Sequence, residues 1–125
     1  MRAVCRADTC EAGSCEVEVD RSYTIYGLLV RRTTHYLVQY EHRSFPLYLP
    51  AELFESPVGE FPPLMGMFRQ GDEEFGLTYV VGAKMFGDKD YYLRLLSDDP
   101  EALKSWERFK SYCDSFELAQ SHFSS

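Results

Sequence analysis

The sequence predicts an α+β fold: an antiparallel sheet, an additional β-hairpin and a C-terminal amphipathic helix. Three observations carry that prediction. In most segments up to residue 96, apolar side chains recur every second position, the spacing of a strand with one face turned inward. From Leu103 to Phe116 they recur at steps of three and four, the spacing of one helical face. Aromatic residues make up 15% of the chain, with nine Tyr and nine Phe, a load that favours strands and a thick core.

In MRAVCRAD, Met1, Ala3, Cys5 and Ala7 alternate with Arg2, Val4, Arg6 and Asp8, which reads as a strand. TCEAGS carries Gly13 and Ser14 and reads as a loop. CEVEVD sets Val17 and Val19 on one side against Glu16, Glu18 and Asp20, as a short strand or an extended arm. SYTIYGLLVRR is apolar on both faces from Tyr23 to Val30, so it is expected to be central, and Gly27 marks a bend or bulge. Thr33 and Thr34 turn the chain into HYLVQYEHR, and the two strands pair as a hairpin.

Pro46 confines the LYL strand to a sheet edge, and Pro50 opens a single helical turn over PAELF. Residues 56–73 hold three prolines and three glycines and form the least regular stretch. Phe61, Leu64, Met65, Met67 and Phe68 tie that stretch to the body. Residues 74–96 then read as a hairpin. Phe75, Leu77, Tyr79, Val81, Ala83 and Met85 share a strand face, GDKD (87–90) makes the turn, and Tyr91, Leu93 and Leu95 alternate on the return. Asp98 or Asp99 caps a helix over 99–118, with Pro100 in its first turn and Asp98 and Glu101 at capping-box spacing. Leu103, Trp106, Phe109, Cys113 and Phe116 form its docking stripe, and the tail from Leu118 is expected to fray.

At 125 residues, a single domain over 1–125 is expected, with strands over 1–55 as its first part. The net charge is −7, from 13 basic and 20 acidic residues. A field of that sign repels nucleic acid and anionic membrane and steers a basic partner. The start of the chain lacks the apolar core of a signal peptide, and no apolar run reaches membrane-spanning length. A cytoplasmic protein with reduced thiols is the expectation.

Cys5, Cys10 and Cys15 stand at five-residue intervals. Cys5 points inward with Ala3 and Ala7, and Cys113 lies on the helical stripe, so both read as small buried hydrophobes. Cys10 and Cys15 bracket the loop. Their spacing is at the wide edge of zinc-ligand pairs, and His35 and His42 are too far apart to supply a second pair. A Cys10–Cys15 disulfide fits a tight loop but not a reducing compartment. Glu11 and Glu16 would raise a neighbouring thiol's pKa rather than activate it. None of His35, His42 and His122 stands at a spacing that pairs it with a nucleophile. There is no G-x-G-x-x-G and no phosphate loop. Arg31 and Arg32 flank a hairpin tip, and the acidic pairs fall in turns and caps. No cofactor is expected.

Two stretches carry a resemblance. Val19, Tyr23, Ile25, Tyr26 and Gly27 match a V-x-x-x-Y-x-V-Y-G strand with Ile in place of Val, and Pro50, Leu53, Phe54 and Glu55 match P-x-x-L-F-E. In this, residues 1–55 resemble small bacterial proteins with a Src-homology-type β-barrel. The LPAELFE segment (49–55) is also similar to the Y-P-A-E-L-F-E of bacterial proteins found among toxin-immunity genes, with Leu49 in place of Tyr. The resemblance implies a barrel-like first sheet and a binding protein rather than an enzyme.

The leading expectation is therefore a non-enzymatic protein-interaction module, of immunity type, that binds a basic partner. Asp72, Glu73, Glu74, Asp88 and Asp90 would steer that partner, with Tyr48 and Glu52 as further surface contacts. Two alternatives stand beside it. One is a small-ligand-binding protein or an unrecognised enzyme with a tyrosine-lined pocket. The other is a zinc module on Cys5, Cys10 and Cys15.

Overall fold

In the computed structural model, residues 1–7, 9–10, 13–14, 17–40, 43–62, 66–72 and 76–123 are described, with backbone alone at 9–10, 13–14, 69–72, 76–78, 89 and 120–123. Nine strands precede two helices among these residues: β1 (Arg2–Val4), β2 (Thr9–Cys10), β3 (Gly13–Ser14), β4 (Ser22–Thr24), β5 (Gly27–Val30), β6 (Thr34–Val38), β7 (Leu47–Pro50), β8 (Gly66–Asp72), β9 (Gly76–Gly82), α1 (Lys89–Leu96) and α2 (Pro100–Phe123). All strand pairings are antiparallel. The main sheet has the order β7-β6-β5-β9-β8, and β1–β4 and β2–β3 form two small sheets.

The expected central strand exists, but it changes partners partway. Ser22–Thr24 pairs with β1, and Gly27–Val30 pairs with β6 and β9. The switch falls at Ile25 and Tyr26, whose N–H groups donate to Met1 O and Leu37 O. Gly27 sits at the start of the second half because β9 passes very close: a Cβ there would lie 2.8 Å from Val81 O. The β5–β6 hairpin, the edge position of β7 and the single 3-10 turn Ala51–Leu53 agree with the sequence reading.

At β5–β7 the main sheet is covered on both faces, and β6 shows how. Tyr36 and Val38 point into one core with Ala3, Cys5, Tyr23, Ile25 and Phe54. Leu37, between them, points into a second core with Tyr26, Val80, Leu95 and Trp106. The first core lies under β1, β4 and the 3-10 turn, and the second lies under the helices. Trp106 is fully buried, its ring edge-on to Tyr26 at 5.2 Å and to Phe86 at 6.0 Å. Contacts of this kind add to area burial; truncating such a side chain costs about 3–5 kcal/mol.

The sheets do not close into a barrel. Residues 54–58 return beside β1, but only through single bridges, Cys5 to Phe54 and Arg2 to Val58. Three steps from Arg2 to Cys5 face four on the returning segment (54 to 58), so one extra residue interrupts the ladder as a bulge does. Pro57 lies in that interval and has no N–H to give.

The predicted hairpin over 74–96 is corrected. Its first strand stops at Gly82, and its partner is β8, inside the stretch expected to be irregular. All three prolines of 56–73 precede β8, so nothing prevents residues 66–72 from pairing. GDKD is no turn between strands. Asp88 caps α1 by accepting from Asp90 N at 3.0 Å, and YYLRLL is helical. Tyr91 and Leu95 are buried but Leu93 is 60% exposed, so the operative spacing is i, i+4 and not i, i+2. A short apolar run suits either period until a partner selects one.

Three smaller readings also change. Val17 is buried while Val19 is 47% exposed, so CEVEVD does not alternate, and residues 17–20 form no strand. The N-terminal loop contains the two-residue β2–β3 ladder. The tail is helical as far as Phe123. Among the described residues no helix is long and apolar enough to cross a membrane.

Candidate functional site

Of the acidic residues expected to act together, the described ones fall beyond opposite ends of β9. Asp72 ends β8, with its side chain outside the described residues, and Glu73 and Glu74 lie outside them altogether. Asp88 and Asp90 stand at the start of α1, beyond the far end of β9. Six strand steps, Gly76 to Gly82, separate the two ends, about 20 Å at strand rise. Asp88 is also committed as a helix cap, while Asp90 is exposed.

Tyr48 was expected at the surface and is instead half-buried, its ring 5.0 Å from that of Tyr92. Burial, with Tyr92 beside it, pushes its hydroxyl pKa well above the ordinary value. Glu52 is exposed on the 3-10 turn, and its carbonyl accepts from Arg6 Nε at 3.1 Å. Cys5 is fully buried and its thiol donates to Ala7 O at 3.2 Å. The Cys10 side chain and all of Cys15 lie outside the described residues, as does their pairing. Among the described residues no three His, Cys, Asp or Glu side chains gather as metal ligands do.

What the fold does assemble is an open cleft of about 340 Å³ where the β1–β4 layer meets α2. Arg2 and the run Arg21 to Thr24 form one wall. Gln39, Tyr40 and Arg43, from the segment leaving β6, form a second. Glu107 and Lys110 enter from α2, and Tyr26 lies between.

Each wall is held by polar contacts. Arg2 Nε donates to Ser22 Oγ at 3.0 Å, and Arg2 Nη1 lies 3.5 Å from Glu117 Oε2. Glu117 also accepts from Thr24 Oγ1 at 2.8 Å and lies 3.5 Å from the Met1 ammonium. Arg21 pairs with Glu18 at 3.5 Å and places its guanidinium 5.5 Å from the Tyr23 ring centre. Lys110 Nζ pairs with Asp114 Oδ2 at 3.0 Å, and Asp114 Oδ1 accepts from the Tyr26 hydroxyl at 2.7 Å. Burial first, and then the hydrogen bond and charge of Asp114, raise the Tyr26 pKa far above its ordinary value. Tyr26 is therefore a neutral donor throughout the physiological range.

Gln39 is the pivot of the second wall. Its Oε1 accepts from Trp106 Nε1 at 2.7 Å. Its Nε2 donates to the carbonyls of Tyr40, Arg43 and Phe45. The segment carrying Tyr40 and Arg43 is thereby fastened to the helix core.

Sequence reasoning read these residues singly, as strand or helix positions. The one signal that pointed toward them was residue type: Tyr23, Tyr26 and Tyr40 all line the cleft. Comparison of the chain with protein-family models, with curated proteins and with solved structures finds no match in any of the three.

Proposed function

We propose that this chain is a non-enzymatic binding module and that the Arg- and Tyr-lined cleft is its recognition surface. One observation carries the reading: side chains from β1, β4, the segment after β6, and α2 converge on a single concavity held by partly buried polar contacts. Arg and Tyr are the residue types that dominate recognition surfaces. Among the described residues the lining contains no His, no Cys and one carboxylate, Glu107, a set suited to holding a ligand. A fragment screen by amide NMR tests the proposal. Hits are expected to perturb the amides of Tyr23, Tyr40 and Lys110 together; hits that cluster elsewhere would refute it.

A second reading keeps the basic protein partner. Glu52, Glu55 and Glu60 are exposed along the segment returning beside β1, with Val58 70% exposed among them and no basic residue from 52 to 60. Such an edge suits electrostatic steering of a basic protein, as in an immunity-type complex. The order of β1, the β5–β6 hairpin, edge strand, 3-10 turn and return to β1 supports kinship with Src-homology-type barrels. Charge reversal at Glu52, Glu55 and Glu60 is expected to slow association with that partner at low salt, whereas reversal of Asp90 leaves it unchanged.

A further inference from the structure

We infer that the cleft binds a small polyanion, a molecule presenting several phosphoryl or carboxylate oxygens; this rests on the cleft being the recognition surface. The first support is a reversal of charge. The chain carries 20 acidic and 13 basic residues, so an unpatterned wall would hold more carboxylates than cations. Among the described lining residues four are cations, Arg2, Arg21, Arg43 and Lys110, and one is a carboxylate, Glu107. The four come from separate places in the chain and meet only through the fold.

Carboxylates that pair with Arg2, Arg21 and Lys110 belong to the supporting shell. Glu117 is 13% exposed and holds Arg2, Asp114 holds Lys110, and Glu18 holds Arg21. These contacts orient the cationic groups before a ligand arrives, as a preorganised site requires. They also offset part of the positive field at Arg2, Arg21 and Lys110. Guanidinium groups match phosphate and carboxylate oxygens in pairs. Ser22 Oγ accepts from Arg2 Nε, which leaves its own O–H able to donate to a ligand oxygen. A volume of about 340 Å³ lies at the small end of ligand pockets, which suits a compact polyanion.

The test is an amide NMR titration of the full chain at low ionic strength with pyrophosphate, with citrate, and with glucose as a neutral probe. Direct titration is needed because excluded anions stabilise proteins without binding. Saturable shifts are expected at Tyr23, Tyr40 and Lys110 with pyrophosphate or citrate, weakening as salt rises. Arg43→Glu and Lys110→Glu should each weaken binding at least tenfold, taking about 1.4 kcal/mol per tenfold. Arg108→Glu, the same charge change on an exposed part of α2 outside the cleft, should change it less than twofold. Should a reversal variant lose its folded spectrum, Arg43→Gln takes its place. Tighter binding of pyrophosphate assigns a phosphoryl ligand, and tighter binding of citrate a carboxylate. Equal losses in Arg108→Glu, or no saturable binding of either anion, overturn the inference. In the latter case glucose or neutral fragments binding at the same amides leave the cleft itself standing, and their absence removes both.

Discussion

The indole Nε1 of Trp106, fully buried in α2, donates to Oε1 of Gln39 at 2.7 Å. That bond joins the helix core to the segment leaving β6, 67 residues earlier in the chain. It solves two problems at once. A buried indole N–H without a partner is costly, and the carbonyls of Tyr40, Arg43 and Phe45 all find a donor in the same amide.

Gln39→Leu should therefore destabilise by about 1–3 kcal/mol, the cost of an orphaned buried donor, and loosen the wall that carries Arg43. Urea unfolding followed by Trp106 fluorescence reads the first effect. A double-mutant cycle with Trp106→Phe should show strong coupling, since the second substitution removes the donor that the first leaves unpaired. Strict additivity would mean that the two side chains act independently.

Gly27→Ala should cost about 1–3 kcal/mol by overpacking, because the new methyl meets Val81 O at 2.8 Å, in rigid backbone. Gly82→Ala should cost less, since its nearest neighbour is Gly27 Cα at 3.8 Å. Thermal unfolding of the two variants decides the matter: equal losses would contradict the asymmetry.

Asp99 has two roles at the α1–α2 junction. Its carboxylate accepts from Glu101 N at 3.1 Å as a helix cap and from Arg94 Nε at 2.6 Å. The Arg94 hydrogen bond holds its pKa below the ordinary carboxylate value. A depressed value stabilises the fold above the unfolded-state pKa near 3.8, and the effect is lost as pH falls through the folded-state value. Asp99→Ala should lower the melting temperature at pH 7 more than Asp99→Asn, which still caps. The gap between Asp99→Asn and the parent should close in acid. A gap that persists at pH 2 would leave the ion pair without a part in it.

Cys113 carries the alkaline counterpart. Burial, and secondarily the nearby Asp114, push its thiol from 9.0 up to about 12. A raised value means that the folded state keeps the proton longer. Stability is full below pH 9, then falls through the window up to about 12, by roughly 1.4 kcal/mol per pH unit for this group. Cys113→Ala should flatten the part of the decline between pH 9 and the onset of tyrosine ionisation near pH 10. Equilibrium unfolding at pH 8, 9 and 10 measures it, and identical slopes in both proteins would refute the assignment.

Much of the fold was legible because its signals are local. Ala3 and Cys5 face inward, Leu53 and Phe54 are core, and Asp99 with Pro100 starts the last helix, each as spacing or capping chemistry implied. The misreadings share one cause. YYLRLL contains residues that satisfy both periods, and docking against Ala102 and Trp106 selects the helical one. The strand Gly66–Asp72 was hidden by its proline-rich approach, and its partner is found only in three dimensions.

The cleft was legible only as a residue type, tyrosine, without an address. Arg2, Arg21, Arg43 and Lys110 bear no spacing relationship to one another. They become neighbours because β1 pairs with β4, the segment after β6 is tied to Trp106 by Gln39, and α2 crosses beside both. Alternation, capping and turn chemistry act within a few bonds, so the chain alone determined β1, the β5–β6 hairpin, the edge strand β7, its last helix and many of its buried residues. Which strands meet, and which distant charges face one cavity, depends on long-range burial, and that only the tertiary structure decided.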